Sequence, residues 1–161
     1  MELKGENKIL ATNDFGNDCV STDEGFCNKN LVVGESLLLQ GEYALLSTAL
    51  IEQGTLLFQH EAVTSGIRTR TSIQVGPHHH LEAGEKGAYI NHSCSPNARA
   101  STTIDSISGI GSVAFYSTRV ISPGEEITFD YATTETEITT ELAQVICLCT
   151  SEKCRSKSVG Y

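Results

Sequence analysis

The sequence predicts a mainly β fold of short strands joined by many turns. Its 161 residues include 14 glycines, and no strong amphipathic helical period appears before residue 135. The apolar residues come instead in short runs at positions 32–33, 37–39, 43–46 and 55–58, with Gly34, Gly41 and the Gln53-Gly54 turn between them. A chain of this length is expected to form one domain with a modest core.

The second half of the chain continues the β pattern. Strands are predicted around residues 71–75, 98–103, 113–120 and 127–131, with a glycine-containing loop at 105–112 and a turn at Ser122-Pro123-Gly124. The two glutamates after that turn, Glu125 and Glu126, are expected to be solvated, with a hydrogen bond from one of them to the loop at 88–97 as the alternative. Consecutive histidines at 78–80 would point to alternate faces of an extended chain, so they predict a solvated loop rather than a metal site. Residues 135–145 fit either a short helix or an extended link.

The charge and hydropathy of the chain limit its partners. A net charge of −9 argues against general nucleic-acid binding and is compatible with a basic protein or peptide as partner. No apolar run approaches the roughly 18 residues of a membrane span, and the first residues contain no apolar segment typical of a signal peptide. We therefore expect no direct nucleic-acid binding, no membrane association and an intracellular location, nuclear or cytoplasmic. The sequence leaves the oligomeric state open.

Six cysteines, at positions 19, 27, 94, 147, 149 and 154, allow two interpretations. An even number suits a secreted disulfide scaffold, but no secretory signal is visible and three of the cysteines crowd the C-terminal end. Cys147 and Cys149, separated by one residue, are poorly placed to bridge each other and well placed to share a metal ion. The spacing therefore favours a metal, although these three thiolates are one ligand short of tetrahedral Zn²⁺. Cys19 and Cys27 are expected to be free thiols.

Three stretches of the chain carry a family resemblance. Residues 88–97 read Ala-Tyr-Ile-Asn-His-Ser-Cys-Ser-Pro-Asn, residues 124–131 read Gly-Glu-Glu-Ile-Thr-Phe-Asp-Tyr, and residues 147–154 read Cys-Leu-Cys-Thr-Ser-Glu-Lys-Cys. In this order they resemble the core signatures of the SET-domain protein lysine methyltransferases, including the cysteine-rich post-SET tail. The resemblance implies a β-clip-like fold of several small sheets, with a threaded (pseudoknot) loop and a zinc-binding C-terminal tail.

The resemblance also divides the chain and completes the metal site. It implies an N-terminal extension at residues 1–30, a SET domain at 31–134 and a post-SET zinc tail at 135–161. The fourth zinc ligand in this family is the cysteine of the Asn-His-Ser-Cys stretch, here Cys94, which joins Cys147, Cys149 and Cys154. The tail then has to fold back over the site. Val159 and Tyr161 would wall the donor or substrate channel, or else belong to a frayed terminus.

By resemblance, Tyr131 is the catalytic residue and S-adenosylmethionine is the methyl donor. The family's tyrosine points its hydroxyl at the reacting lysine amine, which must be neutral to attack the methyl group. Free lysine has a pKa of about 10.4, and an apolar channel beside a sulfonium disfavours the ammonium form. A phenol can orient the amine lone pair without adding a negative charge that would restore the proton.

The same resemblance assigns the donor site. The side chain of Asn91 and the backbone of His92 would hold the amino-acid end of S-adenosylmethionine. Tyr43 lies on the hairpin that approaches the donor in this family, and it is expected to line the same pocket. Tyr89 is expected there as well, with core packing as the alternative.

One part of that hairpin departs from the family pattern. Residues 51–55 match the family's Ile-x-x-Gly-Thr turn, but its Gly-x-Gly positions fall on Glu42 and Ala44, with Gly41 one place early. Glycine serves where backbone approaches a ligand closely, so either a one-residue bulge restores Gly41 or the donor contact changes. We therefore predict methylation of a lysine in a protein substrate, a histone being one candidate. The alternative is a catalytically inactive, SET-like zinc module for protein interaction.

Overall fold

The structure is a computed structural model, which describes residues 25–135, 147–149 and 151–155. It confirms the mainly β fold of several small sheets. The strands are β1 (Gly25–Cys27), β2 (Leu31–Glu35), β3 (Tyr43–Ser47), β4 (Leu56–Val63), β5 (Ser72–Gly76), β6 (His79–Glu82), β7 (Asn91–His92), β8 (Ala98–Asp105), β9 (Ile110–Ser117) and β10 (Thr128–Phe129). Within the described residues, helix is limited to α1 (Gly84–Gly87) and a 3-10 turn at Tyr131–Thr133.

The largest sheet has four antiparallel strands in the order β1-β4-β9-β8. Every second residue of β9 from position 111 to 117 is buried, because one face of the sheet packs inward and the other lies closer to water. Val113 and Phe115 of β9 are fully buried, as is Leu57 of β4. Burying a side chain of this size contributes roughly 1.5–3 kcal/mol, so this sheet supplies much of the stability of the fold.

The apolar run at 37–39 is a turn rather than the predicted strand. The Ser36 hydroxyl donates to one carboxylate oxygen of Glu126 at 2.8 Å, and the N–H groups of Leu37 and Leu38 donate to the same oxygen. Glu126 is accordingly only 5% exposed, which corrects the prediction of a solvated glutamate. Three hydrogen bonds to one buried carboxylate fix this segment as a turn, although its run of three leucines favours a strand.

The hairpin of β2 and β3 shows what replaces the family's glycines. The two strands pair in continuous register from Leu31↔Ser47 to Glu35↔Tyr43, without a bulge. Gly41 lies in the connecting turn, where its φ of +82° suits glycine, and so it does not take the place of a strand glycine. Ala44 lies inside β3, fully buried and opposite Gly34. The hypothesis of a bulge at Gly41 is therefore wrong.

The β5–β6 hairpin contains two of the three consecutive histidines. His79 and His80 belong to β6, where a solvated loop was the prediction, and only His78 lies in the turn, with a φ of +59°. The backbone N–H and carbonyl of His80 both bond to Ser65 at 2.8 Å, and these two bonds hold the segment extended.

The short parallel pair β7–β10 positions the candidate site. Thr128 lies opposite Asn91 and Phe129 opposite His92, so two segments far apart in sequence run side by side. Asn97, 1% exposed, fastens the pair: its Nδ2 donates to the Glu126 carbonyl at 2.6 Å, and its Oδ1 accepts from the Thr128 N–H at 2.9 Å. The pairing therefore brings the loop at 88–97 beside residues 124–131, as the family resemblance implies.

Some expectations fall outside the described residues. The residues concerned are Cys19, Val159, Tyr161 and most of the 135–145 link. The division at residue 30 stays a prediction, and the described residues before it include β1, which pairs with β4 in the main sheet. Among the described residues, no helix has the length and apolarity needed to cross a membrane.

Candidate active site

Four cysteine sulfurs come together from two distant parts of the chain. Cys94 follows β7, whereas Cys147, Cys149 and Cys154 lie in the C-terminal segment. Their Sγ atoms all lie within 4.8 Å of one another, and the Sγ atoms of Cys94 and Cys147 are 3.8 Å apart. Tetrahedral Zn–S bonds of about 2.3 Å place sulfurs about 3.8 Å apart. The donor set and its spacing therefore fit one Zn²⁺ ion.

The thiols of this cysteine cluster differ in acidity. Burial raises the pKa of Cys94 and that of Cys147 above the ordinary value. Burial also acts on Cys149, but the N–H groups of Cys94 and Ser151 and the neighbouring thiols donate to its sulfur and lower its pKa to about 6. The cluster thus stabilises one thiolate, which is the form that binds a metal.

Tyr131 begins the 3-10 turn just after β10 and packs against the cysteine cluster. Its hydroxyl donates to the Ile90 carbonyl at 3.2 Å. The ring centroid of Tyr131 lies 4.8 Å from that of Phe129 and 5.3 Å from that of His92. Burial raises the pKa of Tyr131 to about 12, against the opposing charge of Arg70, so the phenol is protonated at neutral pH.

The His92 side chain connects Tyr131 to the cysteine cluster. Nδ1 accepts a hydrogen bond from the Tyr131 backbone N–H at 3.3 Å. The proton of the neutral ring is therefore on Nε2, which lies 3.3 Å from Cys94 Sγ and donates to it. Burial lowers the pKa of His92, against the raising effect of Asp130, and a neutral ring matches this hydrogen-bond pattern.

Asn91 lies beside the two tyrosines predicted for the donor site. Its Nδ2 donates to the Tyr43 carbonyl at 3.1 Å, and within the described residues its Oδ1 accepts no hydrogen bond. The rings of Tyr43 and Tyr89 meet edge to face with centroids 6.4 Å apart. Tyr43 is 48% exposed, so this group opens to solvent.

A small cavity of about 60 Å³ opens beside Tyr131. Its apolar lining includes Ile73, Ile90 and Phe129, and its charged lining comprises Arg68, Arg70 and Glu135. Glu135 is 8% exposed; it accepts from the Gln74 N–H at 3.1 Å and lies 3.3 Å from Arg68 Nη2. Arg70 Nη2 lies 3.5 Å from Glu42 Oε2, so both guanidiniums are paired with a carboxylate. The apolar part of the lining disfavours the charged form of an entering amine.

Sequence reasoning missed three residues that build this region. Asn97 holds β10 in place, as described above, and Asp130 and Arg155 form a bidentate ion pair. Arg155 Nη1 lies 2.9 Å from Asp130 Oδ2, and Nη2 lies 2.6 Å from Oδ1. Asn97 and Asp130 lie inside the stretches 88–97 and 124–131, and Arg155 directly follows the stretch 147–154, which is the signal the sequence holds for them. Nothing in the sequence pairs residue 130 with residue 155.

Comparison with known families agrees with this geometry. The family model described as SET domain matches residues 42–132, more than half of the chain. The chain belongs to the SET domain family. The matched part of this SET domain begins one residue before β3 and ends in the 3-10 turn. It includes Asn91, His92, Cys94 and Tyr131.

Curated relatives of this SET domain are much longer proteins. Histone-lysine N-methyltransferase set-2 of Caenorhabditis elegans is 34% identical over 93 residues, which cover 56% of this chain and 6% of that protein. Histone-lysine N-methyltransferase ATXR3 of Arabidopsis thaliana is 46% identical over 66 residues, or 41% of this chain and 3% of that protein. The chain therefore corresponds to a small part of these relatives.

Solved structures show the same fold. KRYPTONITE, in a crystal structure with mCHG DNA and SAH, aligns with a TM-score of 0.61 and 25% identity over 81% of this chain and 29% of that chain. A putative histone methyltransferase of Plasmodium falciparum aligns with a TM-score of 0.51 over 62% of this chain and 92% of that chain. Its 18% identity supports the fold alone.

Proposed function

We propose that this SET domain transfers a methyl group from S-adenosylmethionine to the side-chain amine of a lysine in a protein substrate. The observation that carries the proposal is the position of Tyr131. Its neutral hydroxyl donates to the Ile90 carbonyl, beside a small cavity with both apolar and charged walls. The curated relatives named histone-lysine N-methyltransferases support the same activity, and a histone is accordingly the first substrate to test.

Tyr131 and the cavity walls would prepare the amine. The apolar part of the lining, which includes Ile73, Ile90 and Phe129, favours the neutral amine, which is the nucleophilic form. The Tyr131 hydroxyl donates to the Ile90 carbonyl, and both oxygens keep a lone pair that can accept an N–H of the amine and so orient its own lone pair. A phenol whose pKa is about 12 orients this amine without ionising near neutral pH. Most of the catalysis would then be alignment for in-line displacement.

Asn91 and its neighbours would hold the methyl donor. S-adenosylmethionine supplies a sulfonium-activated methyl group when bound, and the KRYPTONITE crystal structure contains SAH. In this chain, Asn91 Oδ1 is available within the described residues to accept from the donor's ammonium group, and Tyr43 and Tyr89 present aromatic surface beside it. The His92 backbone is assigned to the same end of the donor.

The cysteine cluster would hold Zn²⁺ and order the tail. Cys94, Cys147, Cys149 and Cys154 supply four thiolates at spacings that suit the ion. Structural zinc sites of this kind contribute roughly 10–16 kcal/mol in apparent terms, enough to order the segment that carries three of the ligands. We therefore assign residues 135–161 to a post-SET zinc tail and residues 31–134 to the SET domain proper.

A specific observation keeps a second function in view. Glu42 and Ala44 occupy the two glycine positions of the donor hairpin, and the register of β3 leaves no bulge that would restore them. Glu42 also lies 3.5 Å from Arg70, next to the cavity. If these side chains block the donor, the chain is an inactive zinc module for protein interaction.

Calorimetric titration with S-adenosylmethionine, followed by transfer of labelled methyl groups to lysine peptides, tests the proposal. We expect saturable donor binding and transfer to a lysine peptide, both lost when Ala44 is replaced by a bulky residue such as leucine. The matched control is Ala98→Leu in β8, another buried alanine, which lies away from the donor hairpin. No saturable heat with zinc-loaded, folded protein would favour the inactive module instead.

The substrate is expected to be basic. A net charge of −9 favours a lysine-rich protein or peptide over nucleic acid as the direct partner. Raising the ionic strength should weaken substrate binding more than donor binding, because the attraction between exposed charges is screened over about 8–10 Å at physiological salt.

A further inference from the structure

We propose that the Arg155–Asp130 ion pair transmits metal binding from the cysteine cluster to the catalytic turn that begins at Tyr131. The inference rests on the proposed zinc site and goes beyond it, because it assigns positioning roles to residues that are neither metal ligands nor donor contacts. In this view the metal orders more than the tail. It also fixes the backbone that carries the catalytic phenol.

Asp130 is the residue that shapes the turn. It precedes Tyr131 and forms the N-cap of the 3-10 turn, where its Oδ1 accepts from the Ala132 N–H at 3.1 Å. Its carbonyl accepts from the N–H of Thr133 at 3.0 Å and from the Thr133 hydroxyl at 2.7 Å. The side chain of Asp130 is only 17% exposed. The orientation of this carboxylate therefore sets the path of the backbone through Tyr131.

Arg155 fixes the carboxylate from the tail side. Its guanidinium makes two hydrogen bonds to Asp130, one to each oxygen, and this fork defines the plane of the carboxylate in a way that one contact cannot. These bonds and the Coulombic effect of Arg155 hold the pKa of Asp130 below its usual range, even though burial acts the other way. The pair is therefore ionised at neutral pH.

Arg155 is also tied directly to the cysteine cluster. It follows Cys154 in sequence, and its backbone N–H donates to Cys94 Sγ at 3.5 Å. A metal ion that holds Cys154 and Cys94 together consequently holds the Arg155 backbone in reach of Asp130. When the metal leaves, the connection between the tail and Cys94 is lost. The Arg155 backbone is then no longer held at a fixed distance from Asp130.

A second contact runs in parallel. His92 accepts from the Tyr131 N–H and donates to Cys94 Sγ, so the same cluster also supports the backbone of Tyr131 from the β7 side. Hydrogen bonds of this type to metal-bound thiolates orient ligands in metal sites. The turn is therefore contacted by two residues that neighbour metal ligands in sequence: His92, which precedes Cys94, and Arg155, which follows Cys154.

Amide hydrogen exchange tests the proposal without reference to activity. Exchange would be measured by mass spectrometry on fragments that contain Ala132 and Thr133, in the full chain with zinc bound and after chelation. We expect chelation to speed exchange at these two amides roughly tenfold or more, as for the loss of charge-assisted hydrogen bonds. We expect Arg155→Met to speed exchange at the same amides, by less than chelation does because the His92 contact remains, while zinc content stays at one per chain. Arg155→Lys, which keeps the charge and loses the fork, should give an intermediate increase.

The control is Arg119→Met, which removes the guanidinium of another ion pair, with Glu125, away from the cluster. It should leave exchange at Ala132 and Thr133 unchanged. The proposal is overturned if zinc-loaded Arg155→Met exchanges like the parent chain, or if Arg119→Met speeds the same amides equally. A chain that binds no zinc at all would instead refute the metal site of the proposed function, and metal analysis of the same samples separates the two failures.

Discussion

The four-stranded sheet and the segment around Tyr131 are held together in different ways. Strands β4 and β9 pair in nearly continuous register and bury Leu57, Val113 and Phe115 completely. The Tyr131 segment has only two paired residues in β10 and depends on side-chain hydrogen bonds, an ion pair and the cysteine cluster. The sheet is stabilised mainly by apolar burial, which needs no cofactor, whereas the site is stabilised by polar groups that need specific partners.

This difference predicts that the two regions can be damaged separately. Apolar burial is non-directional and tolerates small shifts, but a buried polar network loses several partners when one member is removed. Variants in the sheet should therefore lower global stability and leave the metal bound in the molecules that remain folded. Variants in the site should lower zinc content, donor affinity or turnover while the sheet stays folded.

The largest effect is expected from the metal ligands. Cys149→Ser should lower zinc content well below one per chain, because a hydroxyl replaces a thiol whose pKa is lowered to about 6 by the N–H groups and thiols around it. Far-UV circular dichroism of the sheet should change little. Cys27→Ser is the control, since Cys27 is a buried cysteine outside the cluster and its loss should leave zinc stoichiometric. Full zinc occupancy in Cys149→Ser would remove this residue from the metal site.

Phe115→Ala makes the opposite test. Deleting a fully buried phenylalanine at the centre of the main sheet should destabilise the fold by about 3–5 kcal/mol, measured by denaturant unfolding. Zinc per folded molecule should not change. The control is Ile107→Ala, at a side chain that is 97% exposed, which should shift stability by less than about 0.5 kcal/mol. If Phe115→Ala released zinc from still-folded protein, the two regions would not be separable.

Asn91→Ala should weaken donor binding. Losing a hydrogen bond to a charged group costs about 1.5–3 kcal/mol, a tenfold to hundredfold loss of affinity by calorimetry. Zinc content should stay constant, because Asn91 is not among the clustered ligands. The melting temperature must be followed as well, since Asn91 also bonds the Tyr43 carbonyl. Equal loss of stability, zinc and donor binding would indicate a structural role for Asn91.

Tyr131→Phe should lower kcat by about tenfold or more and leave KM for the donor nearly unchanged. The change removes only the hydroxyl that lies on the Ile90 carbonyl, and the ring contacts to Phe129 and His92 persist. Tyr116→Phe in β9 is the control for loss of a tyrosine hydroxyl outside the site. Turnover at the parent level in Tyr131→Phe, on a lysine peptide that the parent chain methylates, would exclude the catalytic role.

The smallest effect concerns pH. Burial alone would raise the pKa of Glu125, but bonds from Arg119, the Ser122 N–H and Asn97 outweigh it and lower the pKa. A lowered pKa means that stability is present above the ordinary carboxyl range, near 4.5, and is lost as the pH falls below it. Thermal unfolding of Glu125→Gln should therefore differ from the parent at pH 7 and converge with it in acid. A difference that persists unchanged to low pH would contradict this account.

The sequence predicted local patterns better than contacts between distant side chains. The spacing of Cys147, Cys149 and Cys154 predicted a shared ion because short spacing restricts how three thiols can be arranged. The strand at 43–46 and the turn at Pro123-Gly124 followed from equally local signals. The position of Glu126 did not, because a glutamate after a Pro-Gly turn looks solvated until the loop at 36–38 folds onto it.

The same limit applies to the site. Resemblance to the family grouped Tyr131, Asn91 and Cys94, and no local pattern could have done so. The Asp130–Arg155 pair and the contact of the His92 ring with the Tyr131 N–H were missed because each joins segments that are distant in sequence. The sequence already showed Ala44 at a glycine position of the family pattern. Only the continuous pairing of β2 with β3 excluded a bulge at Gly41.

The parallel pairing of β7 with β10 also bears on the order of folding. Strands β8 and β9 lie between β7 and β10 in sequence and form a hairpin with a short turn. Pairings between neighbouring segments form quickly. A parallel pair of distant segments forms more slowly, because closing the long loop costs chain entropy before the strands make contact. We expect the β8–β9 hairpin to form first and the β7–β10 pair to close later. The four thiols would meet last, so that zinc uptake in refolding experiments should lag behind the appearance of strand structure.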